Sequence, residues 1–101
     1  MVDRNLYTGL IRLHLLHHAA EGPIFGQAMI DELGHHGYRL SAGTLYPILH
    51  GMERQGYLRS RLTTTKGRGR RVYRATPAGR RALATARQRV QELFGEMFET
   101  K

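Results

Sequence analysis

The chain has 101 residues, no cysteine and a formal charge of +8, with 41% hydrophobic and 24% charged residues. That length suits one domain with a modest core that a partner subunit would help, and the composition is globular rather than disordered. Disulfides, thiolate zinc sites and cysteine nucleophiles are excluded; no apolar run is long enough to cross a bilayer, Met1-Val2-Asp3-Arg4 opens no signal peptide, and a cytoplasmic protein is expected.

Asn5 is placed to cap a first helix reaching about Ala20, in which Leu6, Leu10, Leu13, Leu16 and Ala20 recur at three- and four-residue spacing. Ile11 and Leu15 widen that stripe, so the helix should be covered on two sides. Glu21-Gly22-Pro23 breaks it. A second helix from about Phe25 to Leu33 turns Phe25, Met29, Ile30 and Leu33 inward and Asp31-Glu32 to water. Gly34 to Gly37 ends it, and Tyr38-Arg39-Leu40 leads on.

The third helix organises the chain. Ser41 stands at its N-cap, and Gly56 stops it before Tyr57-Leu58 starts a strand. At about 100° per residue, Leu45, Ile48, Leu49 and Met52 share a side that must be buried, leaving Gly43, Pro47, His50 and Arg54 outward. Pro47 lies past the first turn, where its missing N–H frees the carbonyl of Gly43. Two short helices with a brief turn between them, the second having a small and sparsely charged outer face, form a helix-turn-helix pattern.

Tyr57 to Thr65 alternates Leu58, Ser60 and Leu62 against Arg59, Arg61 and Thr63, as a half-buried strand does. Lys66-Gly67-Arg68-Gly69 is a turn, and Arg70 to Ala75 returns as the second strand of a hairpin, or wing. Nucleotide-binding loops need strand, loop and helix in that order, and here strand follows strand. Thr76-Pro77 then opens the last helix with an N-cap and a proline at the first helical position. Leu83, Val90 and Met97 recur every seven residues, with Ala86 and Leu93 between them and Phe94 and Phe98 alongside, a seam too short to stand alone. Its expected cover is another subunit; the alternative is that it folds back on the first helix.

Charge is segregated. Arg54, Arg59, Arg61, Lys66, Arg68, Arg70, Arg71, Arg74, Arg80, Arg81, Arg87 and Arg89 are twelve of the sixteen basic residues, and from Arg54 to Gln91 there is no acid. Such a run is the electrostatic footprint of a polyanion, and its near-exclusive use of arginine favours bidentate contacts over a merely solvated face. No amphipathic helix with bulky aromatics on its apolar face accompanies it, which argues against an acidic membrane.

Thr44-Leu45-Tyr46-Pro47-Ile48-Leu49, Met52-Glu53 and Gly56-Tyr57-Leu58, followed by Arg71-Val72-Tyr73-Arg74-Ala75-Thr76-Pro77-Ala78-Gly79, resemble the signature of the PadR-like winged-helix transcriptional regulators. The spacing between the two blocks leaves room for one wing. Ala42 stands where the family often has proline, and His50-Gly51 where it often has two basic residues. The resemblance implies a final helix that serves dimerisation and an effector that is often a small aromatic compound or drug bound near the dimer interface.

His14, His17 and His18 are spaced for one helix face and are the candidates for a metal site, with His35-His36 in a turn. No carboxylate is read in helical register beside them, and adjacent histidines on a helix diverge, so no metal and no cofactor is expected. Ser41 and Ser60 stand near no catalytic motif and the acids are not paired for acid/base work, so no enzyme is expected.

The expectation is a mainly α fold with a small β-hairpin: a winged helix-turn-helix over residues 1–76 and a dimerisation helix over residues 77–101, within one compact unit. Its function would be that of a dimeric repressor released by a small-molecule effector and bound to double-stranded DNA at a two-fold symmetric operator. Ser41, Thr44, Tyr46, His50 and Arg54 would lie at the major groove, Tyr46 also reading as a packing tyrosine. Lys66, Arg68, Arg70 and Arg71 would hold adjacent backbone, and Leu83, Ala86, Val90, Leu93, Phe94 and Met97 would form the dimer seam. The other readings are a metal or ligand sensor built on the first helix and a winged-helix protein-interaction module that binds no DNA.

Overall fold

A computed structural model describes residues 3–99. In chain order the elements are α1 (Arg4–Glu21), β1 (Ile24–Phe25), α2 (Gly26–His35), α3 (Ala42–Arg54), β2 (Leu58–Thr65), β3 (Arg68–Ala75) and α4 (Pro77–Phe98). The arrangement is the expected winged helix-turn-helix with a C-terminal helix. Its core joins Ile11, Leu15, Leu16 and Ala19 of α1 to Ile24, Met29 and Leu33, to Leu45, Leu49 and Met52 of α3, and to Leu58 and Tyr73 of the sheet. Ile48, expected inside, is half-buried at the rim.

Several local expectations need correction. Asp3, not Asn5, caps α1, its Oδ1 accepting the N–H of Asn5 at 2.8 Å. A carboxylate is also the better charge for the positive end of the helix. The buried side of α1 runs through Ile11, Leu15 and Ala19, four residues apart, whereas Leu6 and Leu10 are 69% and 48% exposed. Leu10 lies about 100° from Ile11 round the helix, so Leu6 and Leu10 form a second apolar face beside the core-facing one, while Leu16 of the predicted stripe is buried as expected.

Phe25 precedes α2 rather than opening it. Ile24 and Phe25 form a two-residue strand against β3, in register with Tyr73 and Val72, which makes a three-stranded antiparallel sheet of order β1-β3-β2. The hairpin turn is two residues rather than four. Lys66 (φ +52°) and Gly67 (φ +76°) both take positive φ, matching the right-handed twist of the paired strands, and Arg68 and Gly69 already belong to β3. Leu62 is 64% exposed, because beyond Ser60 the hairpin projects past the core and alternation has nothing left to bury against.

The first turn of α4 is fastened to the junction between α3 and β2. Thr76 caps the helix, its Oγ1 accepting from the Gly79 N–H at 2.9 Å while its own N–H donates to the Tyr57 carbonyl at 3.0 Å. Its hydroxyl donates to the Gly56 carbonyl. Gly79 is buried at a close approach of backbones, since a Cβ there would lie 2.1 Å from the Tyr57 carbonyl oxygen. Ala82 and Leu83 then pack on the core, which removes Leu83 from the uncovered seam. Ala86 is half-buried, and Val90, Leu93, Phe94, Met97 and Phe98 beyond it are exposed. The two alternatives for this helix thus divide along its length, the first half lying on its own domain and the second half bare within the chain.

Candidate nucleic-acid interface

With Leu45, Leu49 and Met52 buried beneath it, α3 turns Ser41, Thr44, Pro47, His50 and Arg54 to the surface. Ser41 has the extended backbone of an N-cap, but its hydroxyl makes no bond to the helix backbone and lies 3.4 Å from that of Thr44. The first turn contains no acid, so an unneutralised positive helix end and two hydroxyls share one spot. Tyr46 departs from this outward set. Its ring is half-buried over Gly26 at the start of α2, where even a methyl group would meet the tyrosine hydroxyl at 2.2 Å. Of the two roles read for Tyr46, the geometry gives the packing one.

The four wing bases divide. Lys66 and Arg68 are exposed at the tip. The Arg70 guanidinium lies 4.3 Å from the centre of the Phe25 ring, a cation–π contact that ties the wing to β1. Arg71 donates to the Ser60 hydroxyl at 3.0 Å.

That hydroxyl belongs to a link the sequence reading missed. The half-buried Glu53 carboxylate, at the end of α3, accepts the Ser60 N–H and the Ser60 hydroxyl, each at 2.9 Å. Glu53, Ser60 and Arg71 therefore join the outward-facing helix to both strands of the wing. A signal was present, since Glu53 is the one acid between Glu32 and Glu92, and a lone carboxylate in a basic stretch has many suitors.

Strand alternation also exposes a second basic face. Arg59, Arg61 and Arg74 point away from the side on which Leu58 and Tyr73 are buried, and with Val72, Thr76 and Pro77 they line a concavity at the wing root. Arg59 stands directly opposite Arg74, a like-charge pair that costs stability unless an anion lies nearby. Among the described residues, the ion pair of an arginine with an acid is Arg89 with Glu92, at 3.4 Å, so none of the arginines from Arg54 to Arg87 is in direct contact with a carboxylate.

The histidine reading fails on both of its premises. Glu21 does stand in register, its Oε2 3.5 Å from His17 Nε2 and its Oε1 3.7 Å from His18 Nδ1. Nor do the adjacent histidines diverge, their ring centres being 5.1 Å apart. His14 turns elsewhere and stacks on His36 at 4.9 Å; burial, and then the neighbouring His36, hold its pKa below the ordinary value. The hydrogen bond from His36 at 2.9 Å lowers that of Glu32.

An exposed helix start over a buried apolar face, a basic wing beside it and an acid-free run of arginines are the parts of a DNA-binding winged helix, and none of the described helices is long and apolar enough to cross a membrane. Comparison with known proteins agrees. The chain is 50% identical over 94 residues to the transcriptional regulator Rv3488 of Mycobacterium tuberculosis, across 93% of this chain and 88% of that protein. The crystal structure of a PadR family transcriptional regulator from Eggerthella lenta superposes with a TM-score of 0.78 at 31% identity, covering 96% of this chain and 88% of that one. A Streptococcus transcriptional regulator, at 19% identity and a TM-score of 0.82 over 93% of this chain and 94% of its own, shares the fold. The description "Transcriptional regulator PadR-like family" matches residues 15–85, and with it the chain belongs to that family of non-enzymatic, DNA-binding regulators of transcription.

Proposed function

We propose that this regulator is a cytoplasmic homodimer that represses transcription by occupying a two-fold symmetric operator. The observation that carries the DNA assignment is the unpaired arginine surface running from the end of α3 over the wing. The recognition helix presents Ser41, Thr44, His50 and Arg54 to base edges and nearby phosphates, while Lys66 and Arg68 at the wing tip hold backbone. Arg70 and Arg71 position the wing and reach phosphate with whatever donors their intramolecular contacts leave free. Tyr46 acts from beneath by fixing α3 against α2.

Dimerisation is supported by the apolar stretch Val90, Leu93, Phe94 and Met97, with exposures from 48% to 61%, and by the exposed Leu6 and Leu10. Side chains of that size left in water along one helix mark an association surface, and the matching surface of a second copy closes it isologously. Leu83 and Ala86 sit at its inner end. Release by a small apolar effector is supported by the groove between α1 and α4, lined by Leu10, Leu13, Leu83, Ala86 and Val90, at the edge of that surface.

The deciding experiment is selection of bound fragments from random duplex DNA with the purified chain. A site with two-fold symmetry supports both the DNA and the dimer assignment. An asymmetric site would refute the dimer, and failure to enrich any sequence would refute specific recognition.

A further inference from the structure

We propose that His17, His18 and Glu21 bind a divalent transition-metal ion such as zinc, cobalt or nickel, with Glu32 of α2 as the outer-shell support of the site. The inference is independent of the DNA-binding reading. Spacings of three and four residues bring side-chain ends together on a helix, and here the three donor atoms lie within 4.8 Å of one another. A four-coordinate ion with bonds of about 2.0–2.1 Å holds its ligand atoms about 3.3 Å apart. The two histidines reach different oxygens of Glu21, His17 Nε2 at 3.5 Å from Oε2 and His18 Nδ1 at 3.7 Å from Oε1, so a small turn of the exposed carboxylate brings one oxygen, or both, into ligand range of each. The two histidines close the remainder by rotation of exposed or half-exposed rings.

The stronger argument concerns His18, both of whose ring nitrogens face carboxylates. Nδ1 is 3.7 Å from Glu21 and Nε2 is 3.6 Å from Glu32. An imidazole that gives one nitrogen to a metal keeps an N–H on the other, so a single ring can serve a metal and a carboxylate at once. A metal at Nδ1, with the Nε2–H donated to Glu32, satisfies both, and it reproduces the carboxylate–histidine–metal arrangement in which the outer acid fixes tautomer and ring orientation. Glu32 is itself held by His36 at 2.9 Å. Two imidazoles and one carboxylate suit zinc, cobalt or nickel and disfavour magnesium and calcium, which prefer oxygen alone. The fourth position would face solvent and be open to water, since Glu21 is 63% exposed and His17 52%.

The test is calorimetric titration of zinc chloride into the full chain at pH 7.5, with the visible spectrum of the cobalt form as a second readout. One ion per chain is expected. His17→Ala and Glu21→Gln should each weaken binding at least about 100-fold, and Glu32→Gln about 10- to 100-fold with stoichiometry kept. The substituted side chains are exposed or half-exposed, and circular dichroism confirms that each variant folds. His14→Ala and His50→Ala should bind as the wild type does. Affinity should fall as the pH is lowered, because metal and protons compete for the same ligand atoms. Absence of binding at millimolar zinc would overturn the site, as would affinity that survives Glu21→Gln or is lost with His14→Ala or His50→Ala.

Discussion

Glu53→Ala tests the link between the recognition helix and the wing. In the native chain the half-buried carboxylate accepts the Ser60 N–H and hydroxyl at 2.9 Å each, and Ser60 in turn accepts from Arg71 at 3.0 Å. Hydrogen bonds to a charged group contribute roughly 1.5–3 kcal/mol each, and a buried donor left without a partner costs about 1–3 kcal/mol. The two bonds share one acceptor group, Ser60 is only partly buried, and water can enter where the carboxylate was. A loss of about 2–4 kcal/mol is therefore expected, which for a domain of this size lowers Tm by on the order of 10–20 °C. The protein should still fold, and its wing should lose its set angle to α3. Operator affinity measured well below the lowered Tm should consequently fall by more than a purely thermal defect explains, about tenfold or greater. The assays are thermal denaturation and gel shift on the selected operator, with Arg71→Ala as the comparison that loosens one strand only. A Glu53→Ala protein with unchanged Tm and unchanged operator affinity would refute the reasoning, because the link would then carry neither stability nor wing position.

Other outcomes follow from the same geometry. If about six to eight arginines per dimer neutralise phosphates, operator affinity should fall with salt on a log–log slope of about −5 to −7; a flat response in gel-shift titration removes the nucleic-acid contact. Replacing Lys66 and Arg68 together by alanine, four phosphate contacts per dimer, should weaken all duplexes alike and make that slope shallower by about three to four, whereas Thr44→Ala or Arg54→Ala should change which sequence is preferred in a repeat selection. Gly79→Ala places a methyl group 2.1 Å from the Tyr57 carbonyl oxygen and should destabilise by about 1–3 kcal/mol in chemical denaturation, since backbone rather than a flexible side chain must give way. Val90→Asp should yield monomers by analytical ultracentrifugation that keep non-specific binding at low salt and lose operator binding by a factor of roughly 10² to 10⁴, the advantage of engaging two half-sites within one dimer.

What was legible in the sequence was whatever a single strong period or cap dictates. The burial of Leu45, Leu49 and Met52 beneath the outward face of α3, the Thr76-Pro77 start of α4 and the order of three helices, a hairpin and a last helix all rest on such local signals. The choice of face on α1 was not legible, because its apolar residues cover more than one side, and which side meets the core depends on where α3 and the sheet lie. β1 was hidden for a related reason. Two residues after Pro23 carry no period, and Ile24-Phe25 becomes a strand only because the edge of β3 is there to pair with it. Contacts formed by chance of register, such as Glu53 to Ser60 seven residues on, or His18 to Glu32 across two helices, require the tertiary fold before they can be seen. Glu21 was different, for its register with His17 and His18 is a matter of helical spacing alone and stood in the sequence from the start.

The way α4 is attached bears on how a change at the seam could reach DNA. Its first turn is fixed where α3 passes into β2, by the two Thr76 bonds to Gly56 and Tyr57 and by the close contact of Gly79 with the Tyr57 carbonyl. Its far end carries the proposed dimer surface, and 22 helical residues separate the two by about 33 Å. A helix of that length behaves as a stiff lever, so a tilt of only about 10° at the fixed turn displaces the seam end by roughly 6 Å. Run in reverse, the proposed effector, by wedging α1 from α4 in the groove beside Val90, would change the angle between the paired helices and load the joint at Tyr57, between the recognition helix and the wing. Because the Glu53–Ser60–Arg71 link holds helix and wing as one body, the half-site reader turns as a unit rather than deforming. On the proposed dimer, spacing between the two recognition helices would then be the quantity such an effector alters, and a two-fold operator would be sensitive to it because both half-sites must be met at once.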